Sequence, residues 1–246
     1  MKKSSLVLAS MLLAGAATAK EAVYSRDLYS PETHPETFAV ISLADPIQFP
    51  QANYNVTGVR WDVFYGSNFT VTGLDFGLVG RVNDSFKGLS LTAVNWVEGD
   101  AVGAQLGAVA NVVRGNATGF QTAAIVNYNH GVFTGLQTGL VNYDGTFCGV
   151  QLGGLNWDKG ACYGLQLGGA NVAVSEFHGW SFGLMNYTER MTGLQFGIVN
   201  VAGETGSGIQ IGCFNGAPKF SGIQIGILNV IGNAALPVLP IVNGNF

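Results

Sequence analysis

The sequence predicts an all-β protein built from one short repeat, and three observations carry that expectation. The phrase Gly-Leu-Gln-x-Gly-Leu-x-Asn, complete in residues 135–142, recurs in twelve copies whose first glycines are Gly58, Gly73, Gly88, Gly103, Gly119, Gly135, Gly149, Gly164, Gly179, Gly193, Gly208 and Gly222. A step of 14 to 16 residues marks a repeat architecture. Within each copy the residues alternate with period two, as a strand requires: Leu136, Thr138 and Leu140 take one side, while Gly135, Gln137, Gly139 and Val141 take the other. Proline is absent from residues 55–217, so nothing in that stretch interrupts pairing.

The segment before the repeat sets the compartment. Lys2 and Lys3, an apolar run and the small residues Ala17, Thr18 and Ala19 form a secretory signal too short to span a bilayer. Residues 1–19 are therefore expected to be removed, residues 20–37 form a lead, and residues 38–246 form a single repeat-built β domain. Ala16 stands where a lipoprotein signal needs cysteine, so no lipid anchor is expected. Loss of the signal leaves nine basic against fifteen acidic residues, which disfavours nucleic acid. Cys148, Cys162 and Cys213 are an odd set for an exported chain, and their spacing fits no zinc pattern.

Inside each copy the third position is polar throughout: Arg60, Asp75, Ser90, Gln105, Gln121, Gln137, Gln151, Gln166, Ser181, Gln195, Gln210 and Gln224. Arg60, Asp62 and Asp75 are the clear charges within phrases and lie on this Gly/Gln face, whereas the Leu face carries none. Other charges, among them Asp144 and Asp158, fall between phrases. An Asn closes most copies, as expected where a strand enters a turn. Trp96, Tyr128, Tyr143, Trp157 and Tyr187 each follow that Asn.

Two architectures accommodate the repeat. A phrase read as one strand of about ten residues spans roughly 33 Å. The remaining five or so reach at most about 17 Å, too short to carry the chain back to the strand's start. An antiparallel meander then follows, closing as an outer-membrane-type barrel. Strands near residues 38–49 and 236–246 bring the count to about 14, an even number suited to closure. On this expectation the Gln residues with Arg60, Asp62 and Asp75 line a lumen or binding face for small hydrophilic solutes or glycan, and the five aromatics form an interfacial belt. Outer-membrane lipid and the envelope assembly machinery become partners. The alternative is a parallel β-solenoid with rungs of 14–16 residues, in the periplasm or at the cell surface, binding glycan or protein. It requires the phrase to bend at its second glycine, for example Gly139. Cys148 and Cys162 separate the two: adjacent rungs in a solenoid, opposite strand ends roughly 30 Å apart in a meander.

The opening VTGVRWDVFYGSNFTVTGLDFGLVG, the repeated GLQxGLVN and the ending LPVLPIVNGNF together resemble the bacterial surface-repeat family of exported Gram-negative envelope proteins. The resemblance covers residues 38–246 and implies an envelope or surface location without a known enzymatic activity or cofactor. The residues themselves point the same way. None of His34, His130 and His178 is spaced in the sequence like the partner of a carboxylate or Cys nucleophile. The glycines around residues 203–208 lack the Lys-Ser/Thr pair of a phosphate loop. A non-enzymatic envelope protein without cofactor is therefore expected, structural or pore-forming as a barrel and a binding module as a solenoid.

Overall fold

The computed structural model describes residues 34–246; the expected signal peptide and nearly all of the lead lie outside them. The described chain is all-β, as expected, and it is a parallel β-solenoid. Its strands are β1 (Glu36–Ala44), β2 (Ile47–Phe49), β3 (Asn55–Asn68), β4 (Val71–Val82), β5 (Phe86–Val97), β6 (Ala101–Val113), β7 (Ala117–Asp158), β8 (Cys162–Phe196), β9 (Val199–Ala217), β10 (Lys219–Ile231) and β11 (Val238–Asn245). β7 and β8 are long because extended structure continues unbroken from one copy into the next.

Register is set copy on copy. Gly73 pairs with Gly88, Gly88 with Gly103 and Gly103 with Gly119, and the same holds for Gly149 with Gly164 and Gly208 with Gly222. All these pairings are parallel. The order in the sheet is β11-β10-β9-β8-β7-β6-β5-β4-β3-β1-β2, so the first and last strands sit at opposite ends and never meet. This overturns the expected barrel of about 14 strands. The segments expected to close it instead cap the stack: β2 runs antiparallel to β1, and β11 antiparallel to β10. Pro46, Pro237 and Pro240 fall in or beside these outermost strands, which have one unpaired edge and tolerate a missing donor.

The chain-length obstacle disappears because each copy bends at its second glycine, or at the residue in its place where Asp62, Thr92 and Ala123 stand. Along residues 133–144 the buried positions are Phe133, Gln137, Asn142 and Asp144, while Leu140 and Val141 both point away from the interior. Alternation is thus broken once, immediately after Gly139. Pairing lapses at the same corner, where Gly153 pairs with Gly168 and Leu155 with Ala170 while Gly154 and Gly169 do not pair. A Cβ on Gly139 would lie 2.8 Å from Asn127 Nδ2 and 3.1 Å from Asn142 Oδ1. The second glycine is therefore small because the Asn of the facing wall fills the space. One copy makes two short walls and a turn, which returns the chain to the start of the next rung.

The interior has an apolar stripe along its edge. Val56, Val71, Phe86, Phe133, Phe147, Phe177 and Phe220, each two residues before a first glycine, are fully buried, and the rings of Phe133 and Phe147 stack at 5.8 Å. The first glycine beside this stripe cannot be replaced. Gly149 has φ +140°, and a Cβ there would sit 2.0 Å from the carbonyl oxygen of Gly135. Backbone strain and this clash act together. Gly149→Ala is expected to destabilise the fold by about 3 kcal/mol or more, read as a lowered urea midpoint, whereas Thr134→Ala on the outer wall leaves the midpoint unchanged.

Candidate functional site

The Gly/Gln face, expected to line a lumen or meet a ligand, is the sealed interior of the solenoid. Gln105, Gln121, Gln137, Gln151, Gln166, Gln195, Gln210 and Gln224 are at most 3% exposed, and no solvent-filled lumen runs beside them. The amides satisfy one another along the stack. Wherever the preceding rung also carries Gln, the Nε2 donates to that Oε1: 2.6 Å from Gln121 to Gln105, 2.7 Å from Gln166 to Gln151 and 2.7 Å from Gln224 to Gln210; Ser181 interrupts the run between Gln166 and Gln195. The two ends of the column reveal its direction. Gln105 Nε2 and Gln224 Oε1 have no hydrogen-bond partner among the described residues.

The closing Asn residues form a second column of opposite sense, and they do not enter turns. Asn142 Nδ2 donates forward to Asn156 Oδ1 at 2.8 Å, Asn156 to Asn171 at 2.7 Å and Asn171 to Asn186 at 2.9 Å. Each Nδ2 also donates to a main-chain carbonyl of the following rung, as Asn142 does to Leu152 O at 3.0 Å. These donors and acceptors are buried, and removing one strands two neighbours.

The interior charges are grouped by the same stacking. The Arg60 guanidinium makes two hydrogen bonds of 2.8 Å to the Asp75 carboxylate and one of 2.7 Å to Arg81 O. Asp62 Oδ2 lies 3.0 Å from Arg60 Nε, but neither Asp62 oxygen is aligned for a hydrogen bond. Burial pushes the Asp62 carboxyl up to about 7 against the pull of Arg60, and the adjacent Asp75 adds to the rise. One fixed cation thus faces two acids, of which it fully serves Asp75.

Asp144 and Asp158, expected in the turns between phrases, are likewise fully buried. Asp144 accepts from Asn129 Nδ2 at 2.7 Å, Gln137 Nε2 at 3.2 Å and Gln151 Nε2 at 2.6 Å; Asp158 accepts from Gln151 Nε2 at 3.1 Å and Gln166 Nε2 at 2.6 Å. Burial raises Asp144 to about 7 despite these donors. It lifts Asp158 well above the ordinary carboxylate range, with repulsion from Asp144 adding to the effect. The Cys162 thiol, buried against Asp158, is raised for the same reason. Cys162 faces the interior opposite Phe147, while Cys148 is exposed opposite Tyr163. The cysteines occupy adjacent rungs, as the solenoid alternative requires, but on opposite sides of the wall.

With polar groups inside, the apolar face is the outer surface. Leu74, Leu91, Leu136, Leu152, Leu167, Ile209 and Ile225 stand exposed in columns free of charge. Isolated exposed leucines are ordinary, whereas a continuous exposed apolar face marks an interaction surface. The five aromatics after the Asn share one outer column running along the stack. Tyr128 and Tyr143 stack there at 5.0 Å, and Trp96 carries Arg114 at 5.5 Å from its ring. Sequence reasoning missed a second aromatic group on the other wall. Tyr163 and His178 stack at 5.1 Å. Trp180 lies two residues farther along the same side and is 60% exposed, and Phe196 is exposed one rung on. Arg190 joins Glu176 at 3.1 Å beside His178. The available signal was the copy at Gly179, which reads Gly-Trp-Ser where its neighbours read Gly-Leu-Gln.

Fold and outer surface define a repeat protein of the parallel β-solenoid class, sealed inside and apolar outside. Compared with protein-family models, curated proteins and solved structures, the chain matches none.

Two outcomes follow from the interior. Asn156→Ala leaves Asn142 Nδ2 and Asn171 Oδ1 short of a partner, and is expected to cost about 2–4 kcal/mol of unfolding free energy in urea titration. For the acids, the folded-state values of Asp62, Asp144 and Asp158 lie above their unfolded values. Their contribution is therefore fully present below about pH 4; for Asp62 and Asp144 it is lost as pH rises through about 7, and for Asp158 only as pH rises well above the ordinary carboxylate range. Melting temperature should fall between pH 5 and 8 through this contribution, and Asp144→Asn should raise it at pH 8 and flatten the slope.

Proposed function

We propose that this chain is a non-enzymatic binding module of the cell envelope, exported to the periplasm or surface, that recognises glycan on the outer wall around Trp180. The aromatic cluster carries the reading. Tyr163 and His178 stack on each other across adjacent rungs of a rigid wall, with the exposed Trp180 two residues beyond His178 and the Glu176 carboxylate and the Arg190 guanidinium beside them. Aromatic faces stack on the C–H faces of sugar rings, and a carboxylate with a guanidinium supplies acceptors and donors for hydroxyl groups. Stacked rungs hold such a group in fixed geometry, which suits an extended polymeric ligand.

Export rests on the signal-like residues 1–19 and, together with the envelope location, on the resemblance to surface-repeat proteins. A passive pore for small solutes, with outer-membrane lipid around a closed barrel, is not carried forward, because the sheet does not close and the Gln face has no lumen. Protein remains the other ligand class for the same wall, favoured where its aliphatic columns of Leu and Ile replace the aromatics.

The test is binding of the exported chain to an array of neutral and acidic oligosaccharides. Trp180→Ala, which alters an exposed side chain, is expected to weaken retention about tenfold with an unchanged melting temperature. A wild-type protein that retains no glycan sinks the reading.

A further inference from the structure

Where the two walls meet, five residues after the first glycine of each copy, side-chain size varies strongly while charge is absent. Leu140, Leu184 and Ile198 project from this ridge with 59%, 63% and 51% exposure, and in the 16-residue copy at Gly119 Ala124 holds the position while Ile125 beside it projects at 51%. Ala93, Ala108, Gly154 and Gly169 hold the equivalent positions of other copies and leave hollows, that at Ala108 bordered by Val109 and that at Gly154 narrowed by Leu140 of the same chain, whose Cδ1 would lie 3.0 Å from an added Cβ. The hollow at Ala93 and Ala108 is an open groove of about 500 Å³, walled by Leu91 and Leu106 and floored in part by Gly107. At Gly169 an added Cβ would meet only the backbone of Gly154.

The order of projections and hollows along the ridge is complementary to its own reversal. We infer that the ridge is the interface of a homodimer whose two-fold axis stands perpendicular to it, between the rungs of Leu140 and Gly154. Rungs are spaced by about 4.8 Å, so a half-turn about that axis exchanges rungs at equal distances on either side. Leu140 then faces Gly154 of the partner subunit, and Ile125 faces Gly169 of the partner subunit. Leu184 and Ile198 enter the groove at Ala108 and Ala93 of the partner subunit. Leu78 faces Cys213 of the partner subunit, so from the Gly73 copy to the Gly208 copy each large side chain meets a smaller one, and only at the two ends do Val63 and Ile227 bring two large side chains together; each contact occurs twice, as a two-fold interface demands.

Three further observations select a second copy as the occupant. A partner must reproduce the rung spacing over the whole ridge, and this chain does so by construction. The ridge and the columns beside it, three and six residues after the first glycine of each copy from Gly73 to Gly222, carry no Asp, Glu, Lys, Arg or His, so like surfaces meet without repulsion. Roughly eleven rungs by a strip about 15 Å wide would bury on the order of 1,500 Å² in total, the size of a standard stable interface. The chain's net charge of −4 disfavours an anionic lipid surface in the same place.

Sedimentation velocity on the exported chain, over a hundred-fold concentration range, tests the assignment. The wild type should sediment as a dimer. Ala108→Leu sets a large side chain against Leu184 and should weaken the dimer at least about tenfold. Leu184→Ala should also weaken it, and the double variant A108L/L184A should return to near the wild-type constant, a rescue that general destabilisation does not produce. All these positions are exposed, and melting curves confirm that each variant is folded. With the exposed Cys148 and Cys213 changed to Ser, Leu140→Cys beside the axis should be joined by a short bis-maleimide, while Leu78→Cys far from it should not. A monomer at every concentration, a dimer indifferent to both single changes, cross-linking at residue 78 and not at 140, or adsorption to anionic vesicles in place of dimerisation would each overturn it. The inference stands apart from the glycan reading: a monomer that binds glycan removes only the dimer.

Discussion

The hydrogen bond from one side-chain amide to the same amide one rung away is the interaction on which the rest of this molecule depends. Asn142 to Asn156 at 2.8 Å is representative. A primary amide has a donor and an acceptor that both need partners when buried, and a column of identical amides spaced like β-strands supplies both to every member except those at its two ends. The column works only if each copy places its amide at the same height and angle. That demand enforces the parallel, one-copy register, keeps the second-glycine position free of a side chain in most copies, and brings the first glycines of successive rungs into backbone contact too close for a Cβ.

Closing the interior with amides inverts the usual partition of the chain. Leu and Ile residues, which a globular protein would bury, are left for the outer walls, and function is displaced to those walls. The interior tolerates departures where chemistry allows. Ser181 replaces a Gln and bonds instead to Asn186 at 2.6 Å. Asp144 and Asp158 replace apolar residues of the same column and accept from the facing Gln residues. These acids have amide donors but no cation, so the fold favours their protonated forms and couples its stability to pH.

Much of the construction was legible in the residues. The period, the strands, the place of the bend and the equivalence of the copies follow from Gly135, Gln137, Gly139 and Asn142 and their counterparts. The Gln column was recognised as one face, and the aromatics after Asn as one set. The exposed group of Tyr163, His178 and Trp180 was not, because it joins residues from two copies that approach only when rungs stack. Asp144 and Asp158 read as turn charges because a local pattern assigns charge to the nearest loop.

By itself the sequence determined that the chain alternates between two kinds of face at a fixed period, with glycine wherever a side chain would obstruct. Only the tertiary structure decided which face is inside and whether neighbouring copies run parallel or antiparallel. The alternation is symmetric under exchange of the faces, so it cannot rank them. The ranking comes from the cost of burying an amide, which is high for a lone Gln137 and offset when Gln121 and Gln151 lie within hydrogen-bond reach. That reach is a property of pairing between residues a full copy apart, and no local pattern contains it.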